Sequence, residues 1–560
     1  MSDPTPDEPE RSESSVPGDG DRLPKVVILG GGMGALATAW SLSQPGWRDR
    51  FESVTVYQRG WRLGGKGATG RGPDDRVEEH GLHVLLGYYH NTFDLLGEVY
   101  RELDREHTDP DCPIRDLDDM LIASSRVGVT DLHDGQWSTW TAAFSTDGTV
   151  PGRADRPAAP MSIVELARRA LTLLVDFSAS TIGAPSSSDD DPVVRLDLGP
   201  DDPPAGHVGD WFERAGTLGT RGVLSLLAGA LEAIVAVQRE GRRWFRSSDP
   251  FVAFVSGPLD VAHDHLRRLT VDDEASRRFF QLADIVVTIL RGLAAEGVLT
   301  NPSRLRLLND VDFRAWLTMH GADPVTVESP LIRGVYDLAF AYRDGDPEAP
   351  AFPAGLGIYL SGRMFFDYQG SIFWKMRCGM GDAIFAPMYQ ALRRRGVEFR
   401  FFHSLQNIEV GAGRRIEAIE LRRQVDLPPG SDRYEPLVRV KDLPAWPAAP
   451  VCDRLDTTSG GSADSDGLAG SEAWWGDPPG STPVMLRAGE DFDIAVLGVS
   501  LGMVPHVCRE LIEANPRWRA MVDNVGTVAT QAMQLWLDPT EPELGWHDDD
   551  VTISGYVEPF

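Results

Sequence analysis

Lysine is almost missing from this 560-residue chain: it occurs only at Lys25, Lys66, Lys375 and Lys441, so nearly every cation is an arginine. Positive charge as a whole is scarce, with 54 Lys and Arg against 84 Asp and Glu and a net charge of -30. Such a balance repels phosphate backbones and anionic lipid heads, which argues against a nucleic-acid partner and a polybasic membrane anchor. Cysteine is equally sparse. Cys112, Cys378, Cys452 and Cys508 are scattered without CxxC spacing, which excludes a disulfide framework, a zinc site and an iron–sulfur cluster. The N-terminal MSDPTPDEPERSESSVPGDGDR has neither a positive start nor an apolar core, so it reads as a disordered acidic tail over 1–22 of a cytoplasmic protein, not a signal peptide. No apolar run is long enough for a clear membrane span. The best candidate, Gly222 to Val237, is short and contains Glu232, so it reads as a buried helix.

The stretch from Lys25 to Lys66 is the most informative. Val26–Leu29 form an apolar strand, Gly30-Gly31-Gly32-Met33-Gly34-Ala35 a glycine turn, and Leu36–Trp40 a helix of small residues. Strand, glycine turn and helix N-terminus together hold a pyrophosphate against free backbone N–H groups and the positive end of a helix dipole. Gly30 permits the turn, Gly32 lets the backbone approach the phosphate, and Ala35 takes the small position where helix packs on strand. A second strand, Ser53–Tyr57, follows at βαβ distance. After it comes Arg62-Leu63-Gly64-Gly65-Lys66, a second glycine doublet flanked by cations, which a nicotinamide site does not need.

Further along, Glu78–Asn91 (EEHGLHVLLGYYHN) precedes an amphipathic helix near Thr92–Leu103. From Ser162 to Val298 the periodicity predicts successive helices, clearest at Ile163–Phe177, Thr220–Arg239 and Arg277–Ala295. Polar stretches at Ser186–Pro204 and Thr457–Pro483 read as surface loops or disordered insertions. Gly379–Asp382 leads a helix over Ala383–Arg395, which Gly396 ends, followed by a strand at Val397–Phe402 and a hairpin over Ile408–Val410 and Arg415–Leu421. Phe492–Ser500 reads as a buried strand, and Gln531–Leu537 as another.

The Arg62–Lys66 element resembles the R-x-G-G-R/K motif of the flavin amine oxidase and phytoene desaturase superfamily, where it lies beside the FAD pyrophosphate. Gly379–Phe402, continuing through Leu405 and Ile408, resembles that family's returning block, and Asp493–Ser500 resembles its later strand. The Glu79–Asn91 segment is closer to the desaturase-like members, in which such a loop lies near the isoalloxazine and would bring Gly81 there. The resemblance implies an α/β fold: a GR2-type Rossmann-like FAD-binding domain with a discontinuous, largely helical plus mixed-sheet substrate domain. It places the FAD domain at 23–125, 375–425 and 488–503, the substrate domain at 126–374 and 504–560, and an insertion at 426–487. FAD is the cofactor implied, on Gly30, Gly32, Gly34, Ala35, Gln58, Arg59, Arg62, Gly64, Gly65, Lys66, Gly81 and Leu405. The sequence departs from the family at two of the positions after the second strand. Gln58 stands where a glutamate usually receives the ribose hydroxyls, so the acceptor is uncharged. Gly60 replaces the usual arginine, leaving Arg59 to reach the same phosphates.

Flavin chemistry asks little of protein acids and bases. The candidates are His80 and His83, with His90 and Glu79 nearby, then Lys375 and Tyr368. The two histidines either position flavin or substrate and move protons, or make loop hydrogen bonds. Their glycine-broken loop offers no further ligands, so no metal is expected. Lys375 either holds a water near the flavin, as a lysine does in amine oxidases, or is a hydrogen-bonded surface residue. Tyr368, Phe373 and Trp374 either wall an aromatic pocket or pack in the core. The family's C-terminal G-D motif beside the ribityl chain is not found after Ser500. Either the chain is cut short or a second polypeptide supplies that piece, and a partner chain is the favoured expectation. The function expected is an FAD-dependent oxidoreductase acting on a C–C or C–N bond of a mainly apolar small molecule. Its alternatives are a redox-neutral isomerase or dehydroxylase of a polyene or terpenoid, and a non-catalytic subunit.

Overall fold

The computed structural model describes residues 22–133, 136–153, 161–163, 165–170, 194–196, 259, 263–264, 274–299, 301–456, 468, 470–473, 476–546 and 551–555. The acidic tail to residue 21, the helix expected at Thr220–Arg239 and most of Ser186–Pro204 lie outside them, as does part of the helix expected at Ile163–Phe177. The chain divides into two compact units. The first comprises residues 1–66, 388–438 and 446–522, and the second residues 67–387, 439–445 and 523–560.

The first unit is built on a parallel sheet. Strand β1 (Lys25–Leu29) runs beside β2 (Ser53–Tyr57) on one side and the strand Ile494–Leu497 on the other, and Glu398–Arg400 extends the sheet beyond β2. A strand paired on both edges and covered on its faces needs a continuous apolar run, and Val26–Leu29 are all buried. Helix α1 (Met33–Leu42) packs through Ala35, Leu36, Ala39 and Trp40. It has no basic residue in its last turn. Arg395 supplies the charge instead: its guanidinium lies 3.4 Å over the Trp40 ring and donates to the carbonyls of Trp40 and Ser43 at 3.2 and 3.3 Å. A separate antiparallel sheet joins β3 (His403–Val410), β4 (Ile416–Arg423) and β5 (Thr482–Arg487). Its apolar face, with Ile408, Ile419 and Leu421, shares a core with Val27 and Leu29.

Three expectations for this unit need correction. The strand at Val397–Phe402 is only Glu398–Arg400, because Phe402 turns into a left-handed conformation at φ 60°. The strand at Phe492–Ser500 is confined to Ile494–Leu497 and is not buried: it is the sheet's edge, and Ile494 is 42% exposed. The polar stretch after Thr457 is not simply a loose insertion, since Ser471 within it is fully buried and β5 begins at Thr482.

The second unit is mixed. Its core gathers the helix Glu274–Ala295, through Ala283, Val287, Leu290 and Leu293, with Phe313, Trp316, Ile332, Tyr336 and Ile358 from shorter helices. Asp312 organises the helix Phe313–Met319. One carboxylate oxygen accepts from Arg314 N and Ala315 N at its N-terminus, and the other accepts from the Tyr336 hydroxyl and Phe352 N. Antiparallel strands Leu85–Leu86, Phe373–Met376 and Leu121–Ser124 form one sheet, and Arg126–His133 with Gln136–Phe144 the centre of another. The last strand, Val551–Gly555, pairs in parallel with Arg126–His133. The helix expected from Ala383 starts at Ala386, behind a turn of π-helix at Gly381–Phe385. No strand forms at Gln531–Leu537. That segment takes no regular secondary structure and is exposed. Among the described residues no helix is long and apolar enough to cross a membrane.

Candidate functional site

The glycine turn sits between β1 and α1, as the strand–helix junction requires. Gly30 adopts φ 109°, and a side-chain Cβ there would fall 2.7 Å from the Gly498 carbonyl oxygen. Only glycine fits that position without strain. Gly32 precedes the first turn of α1, which has no side-chain cap. The helix therefore offers orphan N–H groups at the end where its dipole is positive. A Cβ on Gly32 or Gly34 would meet nothing within 4 Å, so the space over this end is open. Ala35 lies buried, close enough to Gly498 that a Cβ there would reach its own Cβ at 2.6 Å.

The second glycine element comes to the same place. Gly64 N donates to Gly31 O at 2.9 Å, and Gly32 and Gly64 form a parallel bridge. Gly64 and Gly65 both take positive φ, at 126° and 57°, and Gly65 and Lys66 are exposed. Gln58 continues β2: its N donates to Arg400 O and its O accepts from His403 N. Its side-chain Nε2 donates to Arg59 O at 2.6 Å, and its Oε1 stands against the glycine turn, 2.6 Å from where a Gly31 Cβ would lie.

The two arginines of this region are engaged by the chain itself. Arg59 donates to Ser471 O, Gly476 O and Asp477, and Arg62 lies against the carboxylate of Glu472. Burial lowers the Arg59 pKa, against the pull of Asp477 upward. Leu405 packs on the core beneath the sheets. Sequence reasoning missed Gln424, Glu472 and Asp477, which grip the residues after β2. Their only signal was the pair of departures at Gln58 and Gly60, which implies compensating partners without locating them.

The remaining candidates lie in the second unit. Glu79 is the hub of the histidine loop: it accepts from His83 Nδ1 at 2.7 Å, Met380 N at 2.8 Å and Thr69 Oγ1 at 3.0 Å. Burial pushes the Glu79 carboxyl up, but these hydrogen bonds prevail and hold it below the ordinary value. His80 is exposed and its Nδ1 donates to Ala68 O at 2.6 Å, and Gly81 beside it is open. Lys375 lies on the strand Phe373–Met376 opposite Ile122. The Tyr368 hydroxyl donates to Ser145 O at 3.0 Å, while Phe373 and Trp374 are buried. Buried next to Glu79's partners, Asp382 forms an ion pair with Arg71. Burial pushes the Cys378 thiol up to about 12, away from the thiolate form. Among the described residues no three His, Cys, Asp or Glu side chains gather to hold a metal ion.

A cavity of about 270 Å³ opens inside this unit. Its wall includes Leu82 and Val84, which flank His83, with Phe144, Ile289, Ile358 and Phe365. Ser361 and Thr552 are its hydroxyl-bearing residues, and no charged side chain lines it among the described residues.

Residues 28–99 match the family model of the NAD(P)-binding Rossmann-like domain, so the chain carries a Rossmann-like dinucleotide-binding domain. No curated protein matches the chain. Among solved structures, an oxidoreductase from Methanosarcina mazei is 10% identical with a TM-score of 0.34, over 89% of this chain and 65% of its own length. A likeness at that score carries no argument.

Proposed function

We propose that the chain is the flavin-binding part of an FAD-dependent oxidoreductase that removes hydrogen from a C–C or C–N bond of a mainly apolar small molecule. The observation that carries this reading is the meeting of two glycine elements, with Gly64 bonded to Gly31 beside the uncapped start of α1. A nicotinamide fingerprint needs only the first of them. The residues fit a flavin dinucleotide: the space over Gly32 and Gly34 is open, and orphan helix N–H groups suit a pyrophosphate. Gly30, Gly32, Gly34, Ala35, Gly64 and Gly65 would form its cradle, with Lys66 as the exposed cation at the rim and Gln58 Oε1 as the ribose acceptor.

When bound, FAD supplies the acceptor for the hydrogen removed. The chain's own part is to bind and orient the substrate and to hold protons. The uncharged cavity of the second unit supports an apolar substrate body, whose burial is worth about 25 cal/mol per Å². Of the proton-bearing candidates, His83 has the geometry best suited to the work. The Glu79 carboxylate accepts from Nδ1, which fixes the proton on that nitrogen and leaves basicity to Nε2. His80, Lys375 and Tyr368 stay within the proposal as substrate-positioning groups.

The test is the visible spectrum of the purified chain, alone and co-expressed with the product of a neighbouring gene, followed by anaerobic titration with apolar amines and polyenes. A yellow protein whose flavin band bleaches, with substrate losing two hydrogens, is the expected result. Colourless protein in both preparations would remove the cofactor reading. Retained flavin that no substrate bleaches would remove the oxidoreductase reading and leave the isomerase.

A further inference from the structure

Two cations follow β2, and the chain's own carboxylates take both. Arg62 Nε donates to both oxygens of Glu472 at 2.9 Å, and its Nη2 donates to Oε2 at 2.7 Å. Arg59 Nη2 donates to Asp477 Oδ1 at 3.1 Å and Gly476 O at 2.6 Å, while its Nε donates to Ser471 O at 3.0 Å. Gln424 locks the arrangement: its Oε1 accepts from Gly60 N at 2.9 Å, and its Nε2 donates to Ser471 O and Asp477 Oδ1. The other Asp477 oxygen accepts from Gln406 at 3.0 Å. Gly60 is matched to this clamp. It adopts φ 69°, and a Cβ there would lie 2.5 Å from Glu472 Cγ.

In Rossmann-like domains the end of the second strand is where the adenosine ribose is read. A hydrogen-bond acceptor takes the 2′-hydroxyl, whereas an arginine takes a 2′-phosphate. Here the acceptor is the Gln58 amide, and the two arginines are already neutralised by bonds at 2.7–3.1 Å. We propose that Gln58, Glu472 and Asp477 make this a site for adenosine with a free 2′-hydroxyl, and that the two carboxylates exclude 2′-phosphorylated nucleotides. A 2′-phosphate would have to displace a carboxylate from its arginine, leaving two anions side by side, or remain without a cation. The clamp thus accounts for both departures at once: Gly60 makes room for Glu472, and Gln58 reads the hydroxyl without adding a third negative charge.

The inference rests on the dinucleotide reading of the first unit but not on FAD or on redox chemistry. Calorimetric titration of the full chain, dialysed free of nucleotide, with ADP-ribose and with 2′-phospho-ADP-ribose tests it. ADP-ribose binding at least roughly ten-fold tighter is expected, since the 2′-phosphate would bring like charges together. The double variant Glu472→Gln, Asp477→Asn narrows the ratio, and the wild-type ratio decides alone if that variant fails to fold. Equal binding, or tighter binding of the phosphorylated ligand, overturns the inference and leaves the dinucleotide reading intact. Binding of neither ligand overturns both.

Discussion

Single residues here carry geometric demands that can be read one at a time. Gly30 combines a left-handed backbone, a Cβ position 2.7 Å from Gly498 O, and an N–H that donates to Tyr57 O at 2.8 Å. Gly30→Ala must strain that backbone or push β1 from the strand Ile494–Leu497. A loss of about 2 kcal/mol is expected, read as a lower urea midpoint together with lost nucleotide retention. Gly34→Ala, in open space on a helix, serves as its control and should leave stability unchanged or slightly raised. The same contrast explains which site residues were legible. Gly30, Gly32 and Ala35 lie within six positions of one another, so their chemistry is written in local spacing. Arg62 and Glu472 are 410 positions apart, and no local pattern announces such a pair.

At the scale of elements, the parallel sheet was legible because β1 carries an apolar run closed by the glycine turn and the β-branched Val54, Thr55 and Val56 of β2 follow at βαβ distance. What misled was burial: Ile494–Leu497 has the same apolar character as β1, yet it is an edge strand. The mostly apolar Gln531–Leu537 likewise promised a strand, but a strand needs a partner, which sequence pattern does not supply. Nor does hydrophobic spacing reveal Phe402's positive φ or the π-turn ahead of Ala386. The antiparallel sheet adds a pH dependence of its own. His403 opens β3, packs edge-on against Tyr57 at 5.5 Å, and donates Nδ1–H to Phe401 O at 2.8 Å. Burial lowers its pKa from 6.5, outweighing the carbonyl's opposite pull. In the window between that lowered value and 6.5, the unfolded chain binds more protons than the folded one. Stability is therefore full above 6.5 and falls as pH drops through the folded pKa, below which the loss is constant. The urea midpoint of the first unit should decline from pH 8 toward pH 5, and His403→Gln should flatten that decline. An unchanged slope in the variant would assign the effect elsewhere.

For the molecule as a whole, charge is the governing property. At -30 the chain repels copies of itself strongly at neutral pH, and that repulsion vanishes near its pI of about 4.8. The unpaired segment near the C-terminus makes this consequential. Met533, Leu535 and Leu537 are 60%, 71% and 63% exposed in a stretch without regular secondary structure, and neighbouring exposed apolar side chains invite association between molecules. Light scattering should therefore stay low at pH 8 and rise steeply below about pH 5.5, and Leu535→Lys with Leu537→Lys should suppress the rise. Scattering that is equally steep in that variant would place the contact on another surface. The colloidal behaviour of this protein is then a contest between a diffuse acidic coat and the adhesive side chains of this short stretch, and salt that screens the coat acts in the same direction as acid.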